Sequence, residues 1–276
     1  MKPNIPRAVW LRSGVWLLLN LMTVTGLRAH EFWLAPSTHH AEVGEQVAIN
    51  AMIGEGSKAA SLERRPSHIR RFQVFDGQIR SDVDGRRFRR PTGRFTGRTV
   101  GVHVISYESE PQLVELTGDK FEKYLRSEGL DEVLLDRQAA AEPAKAVRES
   151  FSRYAKSLVQ VGGSSDGDAV LGLPMEIVAL ANPFRLVSGD TLVVRVLLEG
   201  EPLPGVLVKA FALGDETVRR GVRTDGAGLA RFPVTTSGRW LLNAVFMERA
   251  EQDDALDWTS WWASLTFEIP AQSRDE

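Results

Sequence analysis

The stretch "TLVVRVLLEGEPLPGVLVKAFAL", Thr191 to Leu213, holds two runs rich in valine and leucine on either side of a glycine- and proline-bearing reversal. Such runs, bounded by residues that suit tight turns, read as strand, turn, strand. Outward from it the same grammar continues in "PMEIVAL", "GLARFPV", "RWLLNAVFM" and "WWASLTFEI", with "TDGAG" (Thr224 to Gly228) as a further turn. Strands at short intervals with no helical period between them predict an antiparallel sandwich over 166–270, followed by a polar tail, 271–276.

Residues 31 to 110 repeat this pattern. "EQVAINAMI", "IRRFQVF" and "TVGVHVISYES" are rich in β-branched and aromatic residues, and Gly44, Asp76-Gly77, Asp84-Gly85 and Pro91 to Gly93 supply reversals. A first sandwich over 30–112 follows. Between the two lies a different texture, 113–165. Thr117 is placed to cap a helix carrying Phe121 and Leu125 one turn apart, Gly129 to stop it, and Asp131 to open a second short helix. In "AKAVRESFSRYAKSLVQVGG", Val147, Phe151, Tyr154 and Leu158 fall on one helical stripe ending at Gly162-Gly163. The predicted fold class is therefore mainly β: two antiparallel immunoglobulin-like β-sandwiches joined by a helical insert. No fixed-period repeat relates the halves.

The first 29 residues have their own layout. Lys2, Arg7 and Arg12 precede the apolar run "GVWLLLNLMTVTGL", and "LRA" sets Ala29 at a cleavage edge. This is the layout of a secretory signal peptide, 1–29, with an uncleaved amino-terminal membrane anchor as the alternative. The apolar run is short of the ~20 residues a membrane span needs. Cleavage predicts a periplasmic protein beginning at His30.

With 276 residues, 43% of them hydrophobic and a formal charge of −2, the chain has the composition of a globular protein. There is no cysteine, so disulfides, thiolate metal sites and a cysteine nucleophile are excluded. A phosphate-cradling glycine loop, a nucleophile elbow and histidines at helical spacing are absent too, and no enzyme is predicted.

Five histidines remain. If the mature chain begins at His30, its α-amino nitrogen and imidazole close a chelate suited to nickel, cobalt or copper. A second side-chain donor is needed. His103, in "GVHVISY", is the first choice if the last strand of the first sandwich runs beside the first strand. His39 and His40 are adjacent and face opposite ways when extended, so only one of them can join a given site, and His68 reads as a loop residue. A redox enzyme of the amino-terminal-histidine copper type is the alternative use of the same chelate.

Between Arg64 and Arg98 lie eleven arginines against three acids. In an exported protein this segment suits solvent-facing strand edges or an anionic envelope surface rather than nucleic acid. An envelope-interaction module without metal is thus a third reading. Asp253, Asp254 and Asp257 beside Trp258, Trp261 and Trp262 read as a charged loop leading into a strand of buried tryptophans.

The start "HEFWLAP", the connector "FEKYLRSEGLDEVLLDR", and "RESFSRYAKSLVQVG", "LGLPMEIVALANP", "GEPLPGVLVKAF", "TDGAGLARFPVTTSGRWLL" and "DWTSWWASLTFEI" occur in this order. Together they resemble a family of bacterial periplasmic proteins of unknown function, labelled a periplasmic component associated with cobalt or nickel transport. The resemblance implies two sandwiches with a helical insert, and transfer of a divalent transition ion to an inner-membrane uptake system. His30 and Trp33 match its histidine-aromatic start. Arg148, Arg153, Tyr154 and Lys156 match a further motif and read as helix packing and surface pairing.

Overall fold

The computed structural model describes residues 31–163, 167–250 and 255–271. The expected signal peptide, His30, Asp253, Asp254 and most of the polar tail lie outside them. Strands β1 (Glu31–Pro36), β2 (His40–Ala41), β3 (Gln46–Gly54), β4 (Ala60–Leu62), β5 (Ile69–Phe75), β6 (Arg80–Asp82), β7 (Gly93–Thr96), β8 (Gly101–Ser109) and β9 (Gln112–Leu116) precede two helices, α1 (Gly118–Glu128) and α2 (Asp131–Ala139). The long strand β10 (Val147–Val161) follows. After it come β11 (Met175–Ala179), β12 (Thr191–Leu198), β13 (Glu201–Pro202), β14 (Leu207–Ala212), β15 (Asp215–Arg223), β16 (Leu229–Pro233), β17 (Gly238–Arg249) and β18 (Trp258–Ile269). The protein is mainly β, as its sequence predicts.

Three sheets form. In the first, β3 bonds β1, β4 and β7; in the third, β12 bonds β11, β13 and β16. The second runs β15-β14-β17-β18-β10-β8-β5-β6, with β2 and β9 also on β10. The two halves of the Thr191–Leu213 stretch therefore do not form a hairpin: β12 and β14 lie in different sheets and face one core. Most pairings are antiparallel, but β10 runs parallel to β18 from Glu149↔Trp258 to Ser157↔Thr266.

Both expected cores are present, and the large sheet serves both. Its Val104, Leu158, Leu242 and Leu265 pack on Met175, Val194 and Phe232 of the third sheet. On the other face Ile105, Ala155 and Val159 pack on Leu34, Val47 and Ile49 of the first sheet. Each face of a strand carries alternate residues, so Leu158 and Val159 serve different cores.

The helical insert is shorter than its sequence predicts. Helix α1 follows Thr117 and ends at Gly129, which adopts φ +68, a left-handed turn that glycine takes without strain. Phe121, Tyr124 and Leu125 pack on Trp258 and Trp262, beneath α2. Val147 to Val161, expected as a helix, is instead the strand β10 at the centre of the large sheet. The physical reason is burial on both faces from Tyr154 to Val159, which takes in Lys156 and Ser157 and breaks the two-residue alternation that marks a half-buried strand. What remains mimics a helical stripe. Among the described residues no helix is long and apolar enough to cross a membrane.

Candidate functional site

Strand β1 is anchored along its length, from Glu31↔Gly54 to Pro36↔Ile49 on β3. Its centre is tied to the large sheet by Thr266 Oγ1, which donates to the Leu34 carbonyl at 2.7 Å. Pleating sends Phe32 and Leu34 into the first core. Glu31, Trp33 and Ala35 line a cavity of about 390 Å³ together with Met52, Phe211 and Leu241.

At the start of β1, Lys209 Nζ lies 3.2 Å from Glu31 Oε1 and 2.6 Å from Glu128 Oε2. Two carboxylates thus share one ammonium. Glu31 Oε2 is buried and has no hydrogen-bond partner among the described residues. Burial raises the Glu128 carboxyl above the usual range, opposed by Lys209 and reinforced by Glu31.

His103 does not approach this point. Its strand bonds β5 and β10 rather than β1, contrary to the pairing that would have carried it to the amino terminus. The ring is 2% exposed and stacks on Phe95 at 5.7 Å. Nδ1 lies 3.4 Å from the Gly101 carbonyl and Nε2 3.5 Å from Thr99 Oγ1. Burial lowers its pKa, against the opposing pull of the Gly101 carbonyl and Asp76. His103 and Gln46 line a separate cavity of about 230 Å³. Gln46 starts β3 and Gly54, the partner of Glu31, ends it, a separation of ~27 Å along an extended strand.

His39 is buried as well, in the bend before β2. It is 2% exposed, and its Nδ1–H donates to the Leu158 carbonyl at 2.7 Å. Burial pushes its pKa down to about 4. His40 points the other way, as adjacent strand residues must, and sets its exposed ring edge-on to Phe184 at 5.1 Å. His68 is exposed and ends a short helical turn, Pro66–His68.

Among the described residues no three histidine, aspartate or glutamate side chains gather where they could hold a metal ion. His39, His40 and His103 are kept apart, two of them by hydrogen bonds to main-chain carbonyls. The expectation of surface pairing fails for Lys156, which is buried on β10 with its Nζ 2.7 Å from Asp168 and 2.9 Å from Glu176. It fails for Arg153 too, whose guanidinium lies between two phenyl rings. No sequence signal marked either, because a helical reading put them on a solvated face. Trp258 and Trp262 are buried at the strand entrance, and Asp257 accepts from Lys145 at 3.0 Å.

The sequence profile of a domain of unknown function, DUF4198, matches residues 27–248. No curated protein matches the chain. Solved structures similar to it include the D0-D1 domain of Intimin, at 13% identity over 85% of this chain and 96% of that one, with a TM-score of 0.20. Fibronectin(III)-like modules of Clostridium thermocellum CbhA match at 9% identity over 88% of this chain and 100% of theirs, TM-score 0.19. Three N-terminal domains of the bacteriophage RB49 highly immunogenic outer capsid protein match at 9% identity over 88% and 71%, TM-score 0.21.

Proposed function

The chain belongs to the DUF4198 family of unknown function, and from the geometry at the start of β1 we propose that it is an exported periplasmic protein that captures a divalent transition ion. The cargo is Ni or Co, with Cu as a further candidate. The first donors are the α-amino group and imidazole of a mature amino-terminal His30. Capture and release to an inner-membrane uptake system, rather than turnover, follow from a site with few ligands at the end of a strand.

The observation that carries this reading is Glu31 Oε2, a buried carboxylate oxygen without a hydrogen bond in the residue after His30. Two carboxylates around one ammonium leave a local deficit of positive charge. A cation there gains an oxygen donor and relieves a buried acceptor that otherwise goes unmet. The separation of His39 and His103 from this point leaves Glu31, not a second histidine, as the side chain placed to assist. Imidazole and amine must be deprotonated to bind, so affinity falls below pH ~6.5.

Calorimetry with Ni(II), Co(II) and Cu(II) tests it on protein starting at His30, on protein with one extra preceding residue, and on Glu31→Gln. Tight binding is expected only in the first, weakened in the third. Equal affinity with the extended terminus overturns the reading. Mass measurement of the exported product fixes the terminus itself.

A further inference from the structure

We propose that the cavity in front of Arg153 binds a small organic carboxylate. The cavity encloses about 420 Å³, within the ~300–1,000 Å³ usual for small-molecule sites. It lies across the pleat of β1 from the start-of-strand cluster: Phe32 faces it, whereas Glu31 faces the other cavity. The two sites are therefore independent, and this one makes no use of the amino terminus.

Arg153 is what sets it apart. Its guanidinium carbon sits 5.4 Å from the Phe32 ring centre and 4.9 Å from that of Phe151. The two rings flank the guanidinium. Nε is buried without a hydrogen-bond partner. Burial lowers its pKa to about 10, which still leaves a full charge at neutral pH. Among the described residues Lys156 is matched by Asp168 and Glu176, Lys209 by Glu31 and Glu128, and the buried Arg137 by the main-chain carbonyls of Glu142, Pro143 and Lys145. Arg153 has no ion pair among the described residues. Glu149, four residues earlier on the same strand face, attracts it at a distance, but its Oε1 is taken by the hydroxyls of Tyr124 and Ser260.

The rest of the wall fits an anion with an apolar body. Arg65, Arg90 and His68 bring further positive or proton-donating groups to the rim, against Glu63 as the one acid. Arg65 and Arg90 are two of the eleven arginines of the arginine-rich segment. Opposite lie Ile53, Leu62 and Ile69. A guanidinium fork accepts one carboxylate in bidentate fashion, and the aliphatic wall takes the hydrocarbon. Inorganic phosphate would satisfy the fork and leave that wall in contact with water.

Benzoate is the probe, titrated into the full mature chain by calorimetry, with benzamide and inorganic phosphate as comparisons. Saturable benzoate binding is expected, with benzamide silent and phosphate weaker. Arg153→Gln should weaken it by roughly tenfold or more, the effect of losing a charged hydrogen bond. Should Arg153→Gln fail to fold, Arg65→Ala with Arg90→Ala, both exposed rim positions, should weaken it roughly threefold. No saturable benzoate binding at millimolar concentration, equal binding of benzamide, or phosphate preferred over benzoate each overturns the proposal. So does unchanged affinity in a folded Arg153→Gln or in the rim variant.

Discussion

Lys156 Nζ lies 2.7 Å from Asp168 Oδ1, and both side chains are shut off from solvent. Glu176 completes the group, 2.9 Å from the same ammonium, while its carboxylate accepts from the amides of Leu171, Gly172 and Leu173. The three residues tie β10 to the segment that enters the third sheet. Burial raises the Asp168 pKa, with Lys156 and the Ala179 amide opposing. Lys156→Met removes the cation and leaves two acids in the interior. The expected loss is about 3–5 kcal/mol in urea unfolding, and a loss below about 1 kcal/mol would mean the group is solvated in a way its geometry does not show.

His39 links acid sensitivity to a single side chain. Its pKa falls to about 4 from 6.5 because burial disfavours the imidazolium. A depressed folded pKa gives stability that is present above 6.5 and lost as pH falls towards 4. The span corresponds to about 3 kcal/mol. His39→Gln keeps a donor for the Leu158 carbonyl and removes the titration. Removing this titration should make the variant's urea midpoint rise relative to the parent's as pH falls from 6.5 towards 4.5, and parallel curves would exclude the assignment.

Much of the fold is legible in sequence because turn chemistry is local. Gly129 ends α1 where a residue with φ above zero is required, and Asp76 closes its turn by accepting from the amides of Gln78 and Ile79. The strand β10 was not legible. Its partners on β9 lie 31 to 39 residues before it, those on β8 54 to 60 before it and those on β18 109 after it, and its burial on both faces depends on them. The histidines fail for the same reason. His39 is defined by a carbonyl 119 residues away, which no spacing within "STHHAE" contains. Glu31 was passed over because its interest lies in Lys209 and Glu128, remote in sequence and invisible to a search for histidines. The DUF4198 match, by contrast, agrees with the ordered motifs in placing the chain in a domain family of unknown function, and says nothing of periplasmic location or of cobalt or nickel transport.

Gly118 opens α1 under the turn at Pro143. A Cβ there would sit 2.2 Å from the Pro143 carbonyl oxygen and 2.8 Å from the Ala144 carbonyl carbon. Both are main-chain atoms and cannot swing aside as a side chain would. Gly118→Ala should therefore cost about 1–3 kcal/mol through displacement of the helix start. Gly163, with nothing within 4 Å of its Cβ position, is the control, and Gly163→Ala should change stability by less than ~0.5 kcal/mol. Equal melting temperatures for the two variants would show that the Pro143 turn moves freely.

Glu149 sets an opposite slope to that of His39. Burial raises its pKa to about 7, against the hydroxyls of Ser260 and Tyr124 and the charge of Arg153. A raised folded pKa gives stability that is fully present below the unfolded value near 4.5 and lost as pH climbs through 7, again about 3 kcal/mol. Between pH 4.5 and 6.5 the two groups therefore offset each other, and the parent protein should show a nearly flat stability there. Glu149→Gln, which retains an oxygen acceptor for both hydroxyls, should leave the His39 slope, with stability rising with pH. His39→Gln should leave the reverse slope, and the double variant should be flat again. Leu158, which holds His39, is nine residues along β10 from Glu149, ~30 Å in an extended strand, so the two effects should add. Single variants that both keep the flat profile of the parent would show that neither group changes protonation on folding.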